Sequence, residues 1–239
     1  MASFSSAGFY GKIPSLGDFV SRRLPKRPFV ETWDYWLQTV IAQSKSQLGD
    51  NWLNIYLTSP VWRFALSENI CGPNPWMGIM IPSVDKVGRY FPLTVAVSLP
   101  RHTNMLNITQ AMATWLAEAE RIALTALDDQ FDFEQFDISI EQMDSPVDFD
   151  ETKPSIAQGN MVTGALHFPI HNHIQPHRDL AKYMLDQNYG KYTVWWTNGS
   201  ELIKPSFSVC KSLPTKELFS ALLDGNWNMH GWHEPVPAG

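Results

Sequence analysis

Trp76-Met77-Gly78-Ile79-Met80-Ile81 is a run of six residues without a polar side chain. In a strand, successive side chains point to opposite faces, so this run must be covered on both sides. It is short for a buried helix, and Gly72-Pro73-Asn74-Pro75 and Pro82 bound it with residues that break regular structure. It predicts a central strand, for which the rest of the chain must supply neighbours and cover. Val61–Leu66 reads as one neighbour, with Trp62, Phe64 and Leu66 on one face, and Phe91–Leu99 as another. The Pro82–Arg89 connection is short, which makes the two strands it joins antiparallel.

Cover comes from helices. Phe29, Val30, Trp33, Trp36, Leu37, Val40 and Ile41 form an apolar stripe at helical spacing, with Pro28 in the first turn and Gly49 as the stop. Asp50 is expected to cap a short helix carrying Trp52, Leu53, Tyr56 and Leu57. A long helix starting at Asn107 or Thr109 and running through Leu127 turns Met112, Trp115, Leu116, Ala119, Ile122, Ala123 and Leu127 inward. Residues 128–160 are rich in Asp and Glu, with a short helical pattern at Phe133 and Phe136, and read as an acidic surface excursion. Further expectations are a strand at 161–168, a helix at Arg178–Leu185 and a strand at Tyr192–Thr197. The Asn198-Gly199 turn leads Leu202 and Phe207–Cys210 back beside that strand, and Thr215 caps a last helix that Gly225 ends, before a frayed tail after Trp232. The Gly- and Pro-rich opening, residues 8–28, reads as irregular structure with several turns. The fold class is α+β, a mainly antiparallel central sheet flanked by helices, in a single domain over residues 1–239.

Composition narrows the function. Net charge is −6, so the basic run Arg22, Arg23, Lys26 and Arg27 reads as a solvated loop and nucleic acid is not an expected partner. Cys71 and Cys210 form no metal-binding spacing and no disulfide framework. No signal-peptide pattern and no membrane-length apolar run is visible, which places the chain in the cytoplasm. Ten Trp in 239 residues supply buried area first and interface anchors second.

Three constellations invite chemistry. His167, His171, His173 and His177 suggest imidazole ligands, but Pro169 and Pro176 interrupt any regular element and no acid or Cys is interleaved. A solvated loop is the favoured reading, with no metal expected. Gly8-Phe9-Tyr10-Gly11-Lys12 resembles a phosphate loop only in part: Ile13 and Pro14 follow the Lys, and Pro14 lacks the N–H a cradle needs. The glycines are expected to permit turns, with Asp18 capping or pairing locally. Ser83, Asp85 and Arg89 share one connection, but no His is near Ser83 in sequence and no nucleophile elbow surrounds it. Asp85 and Arg89 are expected to pair across the turn. No catalytic residue and no cofactor is expected.

The residues that fail as catalytic motifs agree with a known family. Gly8–Phe19 (GFYGKIPSLGDF) resembles the opening of the TagF family, also called ImpM, associated with type VI secretion. The resemblance continues through Arg22-Arg23-Leu24-Pro25, Trp33-Asp34-Tyr35-Trp36-Leu37, Tyr56 and Ser59-Pro60-Val61-Trp62-Arg63-Phe64. It is densest at Gly78 and Pro82–Leu93, and it is looser at Val194-Trp195-Trp196 and Phe219–Trp227. It covers residues 8–100 best. The resemblance implies a post-translational negative regulator that binds the forkhead-associated scaffold protein of the secretion system. Some relatives are fused to a phosphatase domain; no such fusion is expected here, and any phosphatase activity is expected to come from another protein. On this reading Lys12, Asp18, Trp33, Trp62, Arg63, Ser83, Asp85 and Arg89 are expected to gather in a partner-binding cleft. Two alternatives are kept: a small-molecule hydrolase using Asp18, Asp85 and Arg89, and a structural component of the apparatus.

Overall fold

A computed structural model describes residues 6–144 and 176–233. Its centre is a seven-stranded sheet, in which every adjacent pair of strands is antiparallel. The strands are β1 (Gly8–Gly11), β2 (Val20–Arg22), β3 (Trp62–Leu66), β4 (Trp76–Ile81), β5 (Leu93–Ser98), β6 (Tyr192–Thr197) and β7 (Ser206–Lys211). Their order is β2-β1-β5-β4-β3-β6-β7, so the all-apolar run is the middle strand. All six of its residues are buried.

Alternation along the strands divides the core in two. Trp76 and Met80 face one cluster with Tyr10, Trp62, Phe64, Leu66, Ala96 and Trp195. Met77, Ile79 and Ile81 face the other with Phe9, Ala65, Leu93, Val95, Val97 and Val194. Helices α1 (Glu31–Leu48), α2 (Trp52–Leu57) and α7 (Ala221–Asp224) cover the first face with Trp33, Trp36, Leu37, Trp52, Tyr56 and Leu222. Helices α3 (Met105–Ala111), α4 (Ala113–Thr125) and α5 (Phe133–Glu141) cover the second with Ile108, Trp115, Ile122, Phe136 and Ile140. Helix α6 (Pro176–Tyr189) packs on β6.

The aromatic layer under α1 satisfies its polar atoms as it packs. Trp33 lies within 4.7 Å of the ring centres of Trp36 and Phe64, and its indole N–H donates to Thr94 Oγ1 at 2.9 Å. Trp36 donates to the Pro214 carbonyl at 2.8 Å, and Trp62 to the Leu222 carbonyl at 2.7 Å. Each Trp thus contributes apolar area without an orphaned donor. Gly78 is required where this layer meets the sheet: a Cβ there would stand 2.2 Å from the Val95 carbonyl oxygen and 2.8 Å from the Phe64 ring.

Several local expectations are corrected. The opening segment is part of the sheet: Gly8 and Gly11 lie in β1, where they permit close approach to the Arg22 and Pro92 carbonyls rather than turns. Asp50 makes no cap; α2 follows a tight turn at Gly49–Asn51. The long helix starts earlier, where the Asn104 side chain accepts from the Leu106 amide at 3.0 Å, and is broken at Met112. Leu127, expected inward, is exposed. Residues 131–143 are not a loose excursion: their polar side stays exposed, but Phe136 and Ile140 are buried, and Phe9 meets Phe136 edge-on at 5.0 Å. Two of the acids here hold structure. Asp132 caps α5 by accepting from Glu134 and Gln135 amides, and Asp137 pairs with Arg23 at 2.6 Å. Thr215 starts no helix; α7 is one turn, ended by Gly225 with φ of 74°. The strand expected at 161–168 and the tail beyond His233 lie outside the described residues.

Candidate functional site

A dense and largely buried polar arrangement sits at one loop crossing. Lys12 follows β1, and Ser83, Asp85 and Arg89 lie on the β4–β5 connection. Val84 and Tyr90 bridge that connection into a small hairpin, and Gly88 supplies φ of 83° at its turn. Lys12 Nζ donates to Asp85 Oδ2 at 2.7 Å, with the two side chains 4% and 0% exposed. Arg89 Nε donates to the same oxygen at 2.6 Å, which is the pair expected across the turn. Asp85 Oδ1 accepts from the backbone amides of Val87 at 3.1 Å and Arg89 at 2.8 Å. Burial alone would raise the Asp85 carboxyl; Lys12, Arg89 and the two amides outweigh it and hold the group below the usual carboxylate range.

Ser83 is fixed as firmly. Its hydroxyl donates to the Lys12 carbonyl at 2.7 Å. Its amide donates to the Tyr56 hydroxyl at 3.1 Å, and that hydroxyl donates to the Ser83 carbonyl at 2.9 Å. Burial drives the Tyr56 phenol well above its ordinary value, against the opposing effect of the Ser83 backbone. The β1–β2 loop closes over the group: the Lys86 amide donates to the Leu16 carbonyl at 2.9 Å, and Arg89 Nη2 donates to the Gly17 carbonyl. Lys12 Nζ also lies 4.8 Å from the centre of the Phe19 ring. Every polar atom of Ser83, Asp85 and Lys12 named here is held by its own chain. What reaches solvent is the half-exposed Arg89 side chain, with Asp18 Oδ1 at 3.7 Å and exposed Phe19 and Val87 nearby in the same two loops.

The anticipated cleft does not form as one site. Lys12, Ser83, Asp85 and Arg89 come together, with fully exposed Asp18 at the rim. Trp33 and Trp62 belong to the aromatic layer, where their N–H groups are spent on Thr94 and Leu222. Arg63 follows Trp62 on β3, so it points to the opposite face and pairs with Glu120 of α4 at 2.5 Å. Sequence reasoning missed Tyr56 as the anchor of Ser83, the Gly17 carbonyl as a partner of Arg89, and the Tyr10 hydroxyl donating to Asp34 at 2.6 Å. A tyrosine with Asn, Ile and Leu neighbours carries no sign of its partner. The basic run is mostly engaged: Arg22 and Arg23 reach Asp137, and Arg27 reaches Glu31 at 2.7 Å.

A groove of about 430 Å³ runs between α4 and α5, lined by Ile122, Phe131, Asp132 and Phe136 among others, and none of the anticipated residues lies on it. Among the described residues no three His, Cys, Asp or Glu side chains are grouped to hold a metal. His167, His171 and His173, and the side chain of His177, lie outside the described residues. No described helix is long and apolar enough to cross a membrane.

These features define an α+β protein whose two opening strands are tied to the central hairpin by a buried Lys–Asp pair and a half-exposed Arg. The crystal structure of PA0076 from Pseudomonas aeruginosa PAO1 is similar over almost the whole length, with 35% sequence identity, a TM-score of 0.81, and 98% of this chain and 99% of that chain covered. A comparison with curated protein sequences returns no match. Residues 8–143 match the TagF N-terminal domain family, type VI secretion system-associated, and the chain belongs to that family. The match runs through α5, so the acid-rich stretch up to Met143 is part of the family's domain.

Proposed function

We propose that the protein is a post-translational negative regulator of type VI secretion, acting in the cytoplasm by binding the forkhead-associated scaffold protein, without catalysis. Membership of the family supports the setting, and the resemblance supports the sign and the partner. The observation that carries the binding role is Arg89. Its guanidinium is half-exposed yet tied to Asp85 on one side and to the Gly17 carbonyl on the other. An arginine immobilised before binding loses little side-chain entropy when a partner docks, and beside exposed Phe19 and Val87 it has the character of an interface anchor. Ser83 and Asp85 then serve as its mount, their polar atoms already engaged within the chain.

The test is capture of the purified scaffold protein by wild type and Arg89→Ala, with melting temperatures recorded for both. Truncating an anchor costs about 2 kcal/mol or more, roughly thirtyfold in affinity. Weakened capture by a variant that melts with the wild type supports the reading. Unchanged capture, or capture lost only together with the fold, refutes it. Deleting the gene should raise secretion while leaving the amounts of the apparatus proteins unchanged; stable co-purification with baseplate proteins would instead mark a structural component.

A further inference from the structure

The two ends of the sheet are finished differently. At one end β2 has only three residues, and Arg23, next in the chain, is clamped to Asp137 of α5. At the other end β7 runs for six residues with β6 on one side and, among the described residues, no strand on the other. The Ser212 amide donates to the Lys191 carbonyl, which marks that pair as hydrogen-bonded, and the antiparallel pattern alternates from there. Cys210, Ser208 and Ser206 therefore face β6, and the N–H and C=O groups of Phe207, Val209 and Lys211 face outward.

Side chains mark this edge as well. Phe207 is 54% exposed. Lys204 precedes the strand, while Lys211 and Lys191 stand together at its far end. All three lysines are exposed, and none has an ion-pair partner among the described residues. A row of outward backbone groups that no described strand pairs, with an open aromatic and lysines at both ends that no described residue neutralises, is complementary to an extended chain that carries negative charge. A second copy of this chain would bring the same lysines against these, so like charges oppose self-pairing.

We propose that the outer edge of β7 accepts an extended, carboxylate-bearing segment of a partner protein as an eighth strand. Backbone hydrogen bonds to Phe207, Val209 and Lys211 hold the segment, Phe207 covers one of its apolar side chains, and Lys204, Lys191 and Lys211 select for acids at its ends. β3 and β6 separate this edge from β4 and the Arg89 loop that follows it, and the proposal is independent of the binding role given to Arg89.

The probe is the synthetic peptide Glu-Glu-Val-Thr-Val-Thr-Val-Glu-Glu, with its lysine-ended counterpart, added to the full chain while amide exchange is followed by NMR. The acidic peptide is expected to slow exchange at Phe207, Val209 and Lys211, and the lysine-ended peptide to leave it unchanged. Val209→Pro removes one outward donor and leaves the β6 ladder intact, because proline is tolerated where the N–H faces solvent. It should bind about fivefold to tenfold more weakly with its fold retained. The double variant Lys204→Glu, Lys211→Glu tests the charge contribution separately and should weaken binding by roughly tenfold. The proposal is overturned if the three amides are already protected in the free chain, if the lysine-ended peptide binds as well, or if both variants bind like wild type.

Discussion

Replacing Tyr56 by Phe deletes one oxygen atom from a side chain that is 1% exposed. That oxygen accepts from the Ser83 amide at 3.1 Å and donates to the Ser83 carbonyl at 2.9 Å. The carbonyl keeps a second partner, the Phe91 amide at 3.0 Å, so only the Ser83 N–H is orphaned. An unpaired buried amide costs about 1–3 kcal/mol, and the ring is otherwise unchanged in shape. Taking about 2 kcal/mol at roughly 2–4 °C per kcal/mol for a chain of this size gives a fall in Tm of about 4–8 °C. Calorimetry of Tyr56→Phe measures it, and amide exchange at Ser83 should accelerate in parallel. A Tm within about 1 °C of wild type, with the Ser83 amide still protected, would refute the claim that Tyr56 anchors the Arg89 mount.

Two further outcomes follow from the same geometry. Because the folded Asp85 carboxyl lies below its ordinary range, its contribution is fully present above about pH 5 and is progressively lost below that as the unfolded chain takes up the proton; the stability advantage of wild type over Asp85→Asn in urea unfolding should therefore shrink between about pH 5 and pH 3, and a constant difference would contradict the assignment. Gly78→Ala drives a Cβ to 2.2 Å from the Val95 carbonyl oxygen and should cost about 3 kcal/mol or more, whereas Gly17→Ala meets nothing within 4 Å and should stay within about 0.5 kcal/mol of wild type.

What could be read from one chain depended on how far apart the partners lie. The central strand was legible because six apolar residues in a row have few other solutions, and β4 occupies Trp76–Ile81 as expected. Asp85 with Arg89 was legible because the two are four residues apart on one turn. Asp137 was not, since Arg23 lies 114 residues away and nothing local marks the pair, so the acids of α5 read as solvent-facing. The break at Met112 was hidden because the apolar stripe continues through it. Grouping Trp62 with Arg63 in one cleft was an avoidable error. Neighbours on a strand point to opposite faces, and here one enters the aromatic layer while the other meets Glu120.

The even division of β4 between two cores bears on how sequences of this family can vary in length. Inserting or deleting one residue inside Trp76–Ile81 would turn the residues on one side of the change to the opposite face, so that Trp76 or Met80 would point toward the α4 side while residues of the other cluster pointed toward the α1 side. A change that shifts Gly78 would also move the residue without a side chain out from under the Phe64 ring. Relatives should therefore gain or lose residues in the Gly72–Pro75 loop and keep the spacing from Trp76 to Ile81 unaltered.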